Sequence, residues 1–173
     1  MGRHPVRQAT EHDLQRIVEI EVAAGRLFHS VGLTAVAKDV PDRTSLRRSI
    51  DDHRLWVAEV GEEVAGYVAA DVVDDNAHVA QVSVDPVFAG RAVGRVLMEF
   101  VESWGREQKR RATTLTTFRD VAWNGPYYAR LGYRMLSTLG PELSRHFAEE
   151  LTWPGLSDAP RIAMVKPNEG STD

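Results

Sequence analysis

The fold of this chain is decided by one stretch, Val82-Ser83-Val84-Asp85-Pro86-Val87-Phe88-Ala89-Gly90-Arg91-Ala92-Val93-Gly94-Arg95-Val96-Leu97-Met98. Its apolar start predicts a strand, its Asp-Pro and small residues predict a loop, and the apolar spacing that follows predicts an amphipathic helix. The first N–H groups of a helix lack intrahelical acceptors and attract phosphate groups. The stretch therefore predicts a strand, loop and helix that hold phosphate on backbone N–H groups.

A second block combines polar and aromatic residues in a short helical segment, Trp123-Asn124-Gly125-Pro126-Tyr127-Tyr128-Ala129-Arg130-Leu131-Gly132-Tyr133. Asn124 suits the N-cap of that helix, because its side chain can accept hydrogen bonds from N–H groups of the first turn. Gly132 suits the position just after the helix, where the backbone often turns left-handed. We therefore expect a helix that starts at Asn124 and stops at Gly132.

The rest of the chain alternates between predicted strands and helices. Apolar runs bounded by turn residues predict strands at 5–9, 55–60, 64–73, 77–84, 113–118, 133–136 and 161–166. Helical spacing predicts helices at 10–25, 42–52, 93–104, 124–132 and 141–151, with an irregular connection at 28–32. The second, third and fourth strands follow one another through short turns and predict an antiparallel meander. These patterns indicate an α/β protein of the α+β type.

Composition limits the function classes. The chain has 173 residues, of which 43% are hydrophobic and 27% charged, so we expect one domain over 1–173 with a polar tail from about 167. Its net charge of -4 gives no electrostatic argument for binding nucleic acid. The absence of cysteine excludes disulfides, thiolate zinc sites and cysteine nucleophiles, and it fits a cytoplasmic protein. No apolar run reaches the roughly 18 residues of a membrane helix, and we expect neither a membrane partner nor a metal site.

Together the two blocks resemble the GCN5-related N-acetyltransferase (GNAT) superfamily. Its loop motif is Gln/Arg-x-x-Gly-x-Gly/Ala after a strand, and its second motif is an Asn, an aromatic pair and then Leu-Gly-Phe/Tyr. The matching residues here are Ala89 to Gly94, and then Asn124, Tyr127-Tyr128 and Leu131-Gly132-Tyr133. The resemblance extends from Val6 to Lys166. It implies the GNAT fold, a mixed, mostly antiparallel, V-splayed sheet with helices on both sides.

The resemblance implies acetyl-CoA as cosubstrate and transfer of its acetyl group to a primary amine of a small molecule or, as a second choice, of a peptide. The amine would attack the thioester directly in a ternary complex, since no cysteine is present to carry the acyl group. A homodimer is also a family-level expectation. The implied cofactor contacts are Val82, Ser83, Val84, Ala89, Gly90, Arg91, Ala92, Val93, Gly94, Arg95, Asn124 and Tyr128.

Two residues of the loop depart from the family motif. Ala89 stands where the motif has Gln or Arg, and Ala92 stands where it has its first Gly. Ala92 is the milder departure provided that its φ is negative, since a helix start tolerates alanine. Arg91 and Arg95 are expected to supply charge for the phosphates in place of the missing side chain at position 89.

By the resemblance, Tyr128 donates the proton to the departing thiolate and the N–H of Val84 polarises the thioester carbonyl. A phenol has an ordinary pKa near 10, so it is protonated at neutral pH and able to donate. The alternative for Tyr128 is a buried phenol with an unrelated hydrogen bond. Tyr127 is expected to pack in the core or at its rim.

The base that takes the proton of the amine is left open by the sequence. Many relatives have a Glu on the strand before the loop, but residues 77–84 contain no carboxylate. His78 is the titratable candidate on that strand, because its ordinary pKa suits a base. Asp120 is a second candidate, Glu21 with His29 is a third, and water is a fourth. The acceptor pocket is assigned to Glu21, Phe28, His29 and Asp120, with variable loops at 25–41 and 137–160.

A rival from another functional class is a non-catalytic acyl-CoA-binding or sensor domain. The missing strand carboxylate and Ala89 both favour it. An interaction module that no longer binds the cofactor is a third reading. Release of free CoA separates an enzyme from a sensor, and binding of CoA separates both from the interaction module.

Overall fold

The strands of the protein form one seven-stranded sheet in a computed structural model that describes residues 4–168. Its members are β1 (Val6–Gln8), β2 (Leu55–Val60), β3 (Glu63–Val73), β4 (Asn76–Val84), β5 (Ala112–Phe118), β6 (Arg134–Met135) and β7 (Arg161–Pro167). Each of them lies where the sequence predicts a strand. Most of the predicted polar tail, residues 169–173, lies outside the described residues.

The sheet has the order β1-β2-β3-β4-β5-β7-β6. The pair β4 and β5 is parallel, and the other five neighbouring pairs are antiparallel, so the predicted meander of β2, β3 and β4 is confirmed. The register between β3 and β4 shifts where Ala70 pairs with Val79 and Ala69 pairs with Gln81, which leaves Ala80 as a bulge. A bulge bends its strand and increases the local twist.

The parallel pairing of β4 with β5 is short. It contains the pairs Ala77 with Thr113 and His78 with Thr114, although β4 continues to Val84 and β5 continues to Phe118. Beyond His78 the two strands separate, and the edge of β4 that faces β5 is unpaired from that point. This opening is the expected V-shaped splay of the sheet.

Helices cover both faces of the sheet. They are α1 (Leu14–Gly25), α2 (Thr34–Ala37), α3 (Arg43–Asp51), α4 (Val93–Glu107), α5 (Gly125–Arg130) and α6 (Pro141–Glu150). Helix α4 packs on one face with core residues such as Leu97 and Val101, and α1 and α3 pack on the other with residues such as Ile17 and Leu46. None of the helices between residues 4 and 168 combines the length and hydropathy that spanning a lipid bilayer requires.

The connection after α1 is more regular than predicted. It forms a 3₁₀ helix at Arg26–Val31 and then α2, where an irregular segment was expected. Phe28 lies 5.7 Å from the ring of Phe118 and 5.4 Å from the ring of Trp123, measured between centroids. Such short elements carry little periodic signal in the sequence, because tertiary packing stabilises them.

Helix α6 is docked by the turn between β3 and β4. The carboxylate of Asp74 accepts hydrogen bonds from the backbone N–H groups of Glu142 and Leu143, both at 2.9 Å. The Glu142 carboxylate in turn accepts from the N–H of Asp74. This reciprocal capping across the tertiary structure holds α6 on the face of the sheet that also carries α1.

Candidate active site

The loop between β4 and α4, which the sequence predicts to bind phosphate, is anchored at its start by Asp85, directly after β4. One carboxylate oxygen accepts from the N–H of Val87 at 3.0 Å and starts a 3₁₀ turn at Pro86–Phe88. The other accepts from the guanidinium of Arg16 in α1 at 2.8 Å, and Arg16 also donates to the carbonyl of Val64 at 3.0 Å. Asp85 belongs to the first motif block, whereas Arg16 lies outside both blocks and could not be linked to the loop from the sequence. Its role depends on the tertiary approach of α1 to the loop.

The loop itself uses two left-handed residues, Gly90 with φ 76° and Ala92 with φ 61°. Ala92 is the N-cap of α4 and has no side chain that can accept a hydrogen bond. The N–H groups of the first turn, at Val93, Gly94 and Arg95, therefore have neither an intrahelical nor a side-chain acceptor from the cap. They face outward at the positive end of the helix dipole, which favours an anion.

The positive φ of Ala92 corrects the sequence expectation. Alanine was the milder departure from the motif on the condition of a negative φ, and the structure contradicts that condition. The left-handed region brings Cβ close to the following carbonyl oxygen, which costs about 1–2 kcal/mol. The family motif has glycine here because this turn requires the left-handed conformation.

We expect Ala92→Gly to stabilise the protein by about 1 kcal/mol, because relief of strain exceeds the added entropy of the unfolded chain. The measurement is the urea midpoint, with an unchanged m value. The control is Ala148→Gly, at an exposed position inside α6, which should destabilise by about 1 kcal/mol. A loss of stability in Ala92→Gly would contradict the strain at this position.

Tyr127 is half-buried and packs against the core beside α4, which confirms the expected packing at the rim of the core, and its hydroxyl lies at the loop. Its hydroxyl would stand 3.0 Å from a Cβ added to Gly94, so only a glycine leaves room for this approach without displacement. The Arg130 guanidinium carbon is 5.8 Å from the centroid of the Tyr127 ring, and Arg95 forms an exposed ion pair with Glu99 at 3.0 Å. Arg130 was missed in the sequence because a basic residue near a helix end is an ordinary feature.

Tyr128 is buried in the core between the sheet and α4. Its ring makes edge contacts with Tyr127 at 5.4 Å and with Tyr133 at 6.1 Å. Burial raises the pKa of Tyr128 well above its usual value, and proximity to Tyr127 adds to the effect. The phenol is therefore a protonated donor. The side-chain hydrogen bonds found within residues 4–168 do not use its hydroxyl, whereas the hydroxyl of Tyr133 donates to Glu102 at 2.9 Å.

Asn124 occupies the N-cap position of α5, but its side chain makes no capping hydrogen bond. The prediction that it caps the helix is therefore wrong. Its φ of −117° and ψ of −113° differ from the extended backbone typical of a cap. Pro126 stands at the second helical position and has no N–H, so one of the two usual capping donors is missing. Gly132 has φ 95°, which confirms the predicted left-handed residue after the helix.

A carboxylate from α1 lies against the separated part of β4. Glu21 accepts on one oxygen, Oε2, from the hydroxyls of Tyr67 at 2.7 Å and Ser83 at 2.6 Å. Its other oxygen, Oε1, accepts from the amide of Gln81 at 2.8 Å. Ser83 and Gln81 therefore point to the face of the sheet opposite α4. The structure brings Glu21 to the strand on which the sequence contains no acid.

His78 lies where β4 and β5 are still paired, and its side chain is only 1% exposed. One ring nitrogen, Nδ1, is 2.9 Å from the hydroxyl oxygen of Thr114, and the ring contacts His146 at 5.4 Å. Burial, together with the neighbouring His146, lowers the pKa of His78 to about 4. An imidazole with a lowered pKa is a weaker base than a free one, and this ring is shielded from solvent. The burial of His78 therefore argues against it as the base.

The remaining residues assigned to the acceptor pocket contact different neighbours from those of Glu21. Phe28 is half-buried in the aromatic cluster with Phe118 and Trp123, and His29 is exposed on the 3₁₀ helix. Asp120 is exposed, and the guanidinium of Arg119 contacts it at 3.0 and 2.9 Å and lowers the pKa of its carboxyl. Asp120 is thus engaged by its neighbour rather than joined to Glu21. Within residues 4–168, no group of three or more His, Asp or Glu side chains is arranged to hold a metal.

Comparison with known proteins agrees with this geometry. The family model described as "Acetyltransferase (GNAT) family" matches residues 14–133. The ribosomal-protein-S18-alanine N-acetyltransferase of Escherichia coli has a TM-score of 0.71 at 16% identity, with 98% of this chain and 97% of that chain covered. The PaiA N-acetyltransferase of Thermoplasma acidophilum, solved with coenzyme A, has a TM-score of 0.70 at 12% identity, with 94% and 98% covered.

A third solved structure is longer than this chain. N-acetylglutamate synthase of Neisseria gonorrhoeae, solved with coenzyme A and N-acetyl-glutamate, has a TM-score of 0.74 at 16% identity. The alignment covers 98% of this chain and 36% of that one. At these identities the structures establish the fold, and the family model covers more than half of the residues. The chain belongs to the GNAT family of acetyltransferases.

Proposed function

We propose that this protein transfers an acetyl group from acetyl-CoA to a primary amine of a small molecule. The observation that carries the proposal is the opening between β4 and β5, which joins an unpaired strand edge to the uncapped N-terminus of α4. An opening of this kind suits a long, narrow molecule with a phosphate group at one end. The Thermoplasma and Neisseria proteins, which share the fold, were solved with coenzyme A.

The pyrophosphate of acetyl-CoA would bind the N–H groups of the first turn of α4, Val93 to Arg95. In the preceding loop, the N–H groups of Ala89 and Arg91 already donate to the carbonyls of Pro86 and Phe88, at 3.0 and 3.3 Å. Several converging N–H donors and a helix dipole suit its spread negative charge. Arg95, Arg91 and Arg130 add positive charge around the same point, which compensates for the missing side chain at Ala89. The amide side chain of Asn124, which the helix does not use, could contact the pantetheine arm.

The arm would pair with the free edge of β4 at Val82, Ser83 and Val84. The N–H of Asp85 donates to the carbonyl of Ala65 in β3 at 2.9 Å. Because successive residues of an antiparallel strand direct their N–H groups to opposite sides, the N–H of Val84 points toward the opening. This direction supports Val84 as the donor that polarises the thioester carbonyl.

In the reaction, the nitrogen of the neutral amine forms a bond to the thioester carbon, and the carbon–sulfur bond breaks with its electron pair on sulfur. The nitrogen loses one proton and the sulfur gains one, so the products are the acetylated amine and CoA. We assign Tyr128 as the donor to the sulfur. Its hydroxyl is protonated at neutral pH, and no side-chain hydrogen bond found within residues 4–168 engages it, so it is available to donate as negative charge develops on the sulfur.

A sensor that binds acyl-CoA without turnover is the second candidate, since β4 carries no carboxylate. Calorimetry with CoA and a thiol-release assay over a panel of primary amines separate the two functions. We expect CoA to bind and free thiol to appear above the rate without amine. Binding without release for every amine would favour the sensor, and absence of CoA binding would contradict both functions.

The amino-acid composition bears on where in the cell the reaction takes place. The cysteine-free sequence fits the reducing cytoplasm, and we propose that location for the reaction. The homodimer implied by the family stays a prediction, which sedimentation of the full chain tests directly.

A further inference from the structure

We propose that Glu21 binds the ammonium group of the acceptor, and that the acceptor is a cationic primary amine with no carboxylate next to its nitrogen. The bound ammonium loses one proton to water before the neutral nitrogen attacks the thioester. The proposal rests on the acetyltransferase function and names the substrate class of the same site. Glu21 would take the position of a strand acid although it belongs to helix α1.

The hydrogen bonds of Glu21 leave one place for a cation. A carboxylate has about four acceptor positions on its two oxygens. Tyr67 and Ser83 both donate to Oε2, whereas Gln81 alone donates to Oε1. The remaining position is therefore on Oε1, beside the exposed side chain of Gln81.

The charge of Glu21 is not compensated within the described part of the chain. Its three partners are two hydroxyls and an amide, all neutral, and it takes part in no ion pair among residues 4–168. A half-buried carboxylate loses hydration that neutral donors replace only in part, so a cation at this place is favourable. Neutral donors orient the carboxylate without competing for its charge.

Three guanidinium groups near the same side of the sheet are already paired with carboxylates. Arg16 is bound to Asp85 at 2.8 Å, Arg161 to Glu150 at 3.1 Å and Arg119 to Asp120 at 2.9 Å. A carboxylate on the substrate would lie near the negative charge of Glu21. None of these three guanidinium groups would be free to pair with it. Like charges in a partly desolvated site repel each other, so the site should reject an amino acid and accept a simple alkylamine.

The test uses propylammonium as probe. The ¹⁵N-labelled full chain, saturated with CoA, is titrated with propylammonium chloride and, separately, with sodium chloride at equal ionic strength. We expect the amide signals of Gln81 and Ser83 to shift with propylammonium, and the affinity to fall at least about tenfold in Glu21→Gln. The control Glu19→Gln, on an exposed part of the same helix, should behave as the wild type.

The isosteric Glu21→Gln variant keeps the two acceptor bonds from Tyr67 and Ser83, and the amide of Gln81 can reverse, so we expect it to fold. 2-Aminobutyrate is the second probe, because it is propylamine with a carboxylate on the carbon next to nitrogen. It should bind at least about tenfold more weakly than propylammonium. Absence of shifts in the wild type, equal shifts in Glu21→Gln, or equal affinity for the two probes would overturn the proposal.

The same samples separate this inference from the proposed function. Calorimetry with CoA tests cofactor binding without any amine, and the propylammonium titration can be repeated on CoA-free protein. For any amine that releases thiol, Glu21→Gln should raise KM at least about tenfold while CoA affinity is unchanged. A loss of CoA affinity in Glu21→Gln would assign Glu21 a structural role in place of acceptor binding.

Discussion

Replacing Gly94 by glutamate is expected to weaken CoA binding at least about 100-fold, which corresponds to roughly 2.7 kcal/mol. The new carboxylate would stand in the first turn of α4, among the N–H groups assigned to the pyrophosphate, and would repel it. The added Cβ would also meet the Tyr127 hydroxyl at 3.0 Å and a Val84 methyl group at 3.6 Å. Isothermal calorimetry with CoA measures the change directly.

The fold should tolerate this substitution, because an acidic residue near a helix N-terminus interacts favourably with the dipole. The matched control is Gln108→Glu, which adds the same charge at the exposed C-cap of the same helix. Its CoA affinity should stay within about twofold of the wild type, since salt screens the distant charge. Normal CoA affinity in Gly94→Glu would remove the loop from the binding site.

Replacing Tyr128 by phenylalanine is expected to lower kcat at least about tenfold, or roughly 1.4 kcal/mol, with CoA affinity unchanged. The phenyl ring keeps the edge contacts with Tyr127 and Tyr133, and the hydroxyl that is lost makes no side-chain hydrogen bond within residues 4–168. Stability should therefore be preserved while the donor to the sulfur is missing. The measurement is thiol release at saturating acetyl-CoA and amine.

Tyr133→Phe is the matched control, because the ring of Tyr133 makes an edge contact with the ring of Tyr128. The Tyr133 hydroxyl donates to the buried carboxylate of Glu102 at 2.9 Å, so its loss should cost about 2 kcal/mol of stability and leave kcat near the wild-type value. The two variants thus separate a catalytic hydroxyl from a structural one. Equal kcat in Tyr128→Phe and the wild type, both at saturation, would exclude Tyr128 from the mechanism.

Much of the fold could be predicted because its signals are local. The apolar runs of β2 and β3, the apolar stripe of α4 and the glycine after α5 each follow from residues close together in the chain. The two motif blocks, 82–98 and 123–133, then located the loop between β4 and α4 and the aromatic pair. The connection at 28–32 was expected to be irregular because its regular structure depends on packing against Phe118 and Trp123.

The roles of individual side chains were less predictable. A free histidine has an ordinary pKa suited to a base, but burial of His78 beside Thr114 and His146 lowers its pKa and shields it from solvent. Asn124 has the residue type of a cap, but its backbone angles and Pro126 prevent capping. Ala92 adopts a positive φ that its residue type disfavours, because the loop geometry requires it.

The order of strands and helices, the family and the loop between β4 and α4 were all determined by the linear sequence, since they depend on periodicity and on residues adjacent in the chain. The position of the Glu21 carboxylate beside β4 was not determined by the linear sequence. Glu21 and Ser83 are far apart in the sequence, and their 2.6 Å contact exists because α1 packs across β4. Burial and the approach of distant elements set the pKa and the partners of each ionisable group, and these arise only when the chain is folded.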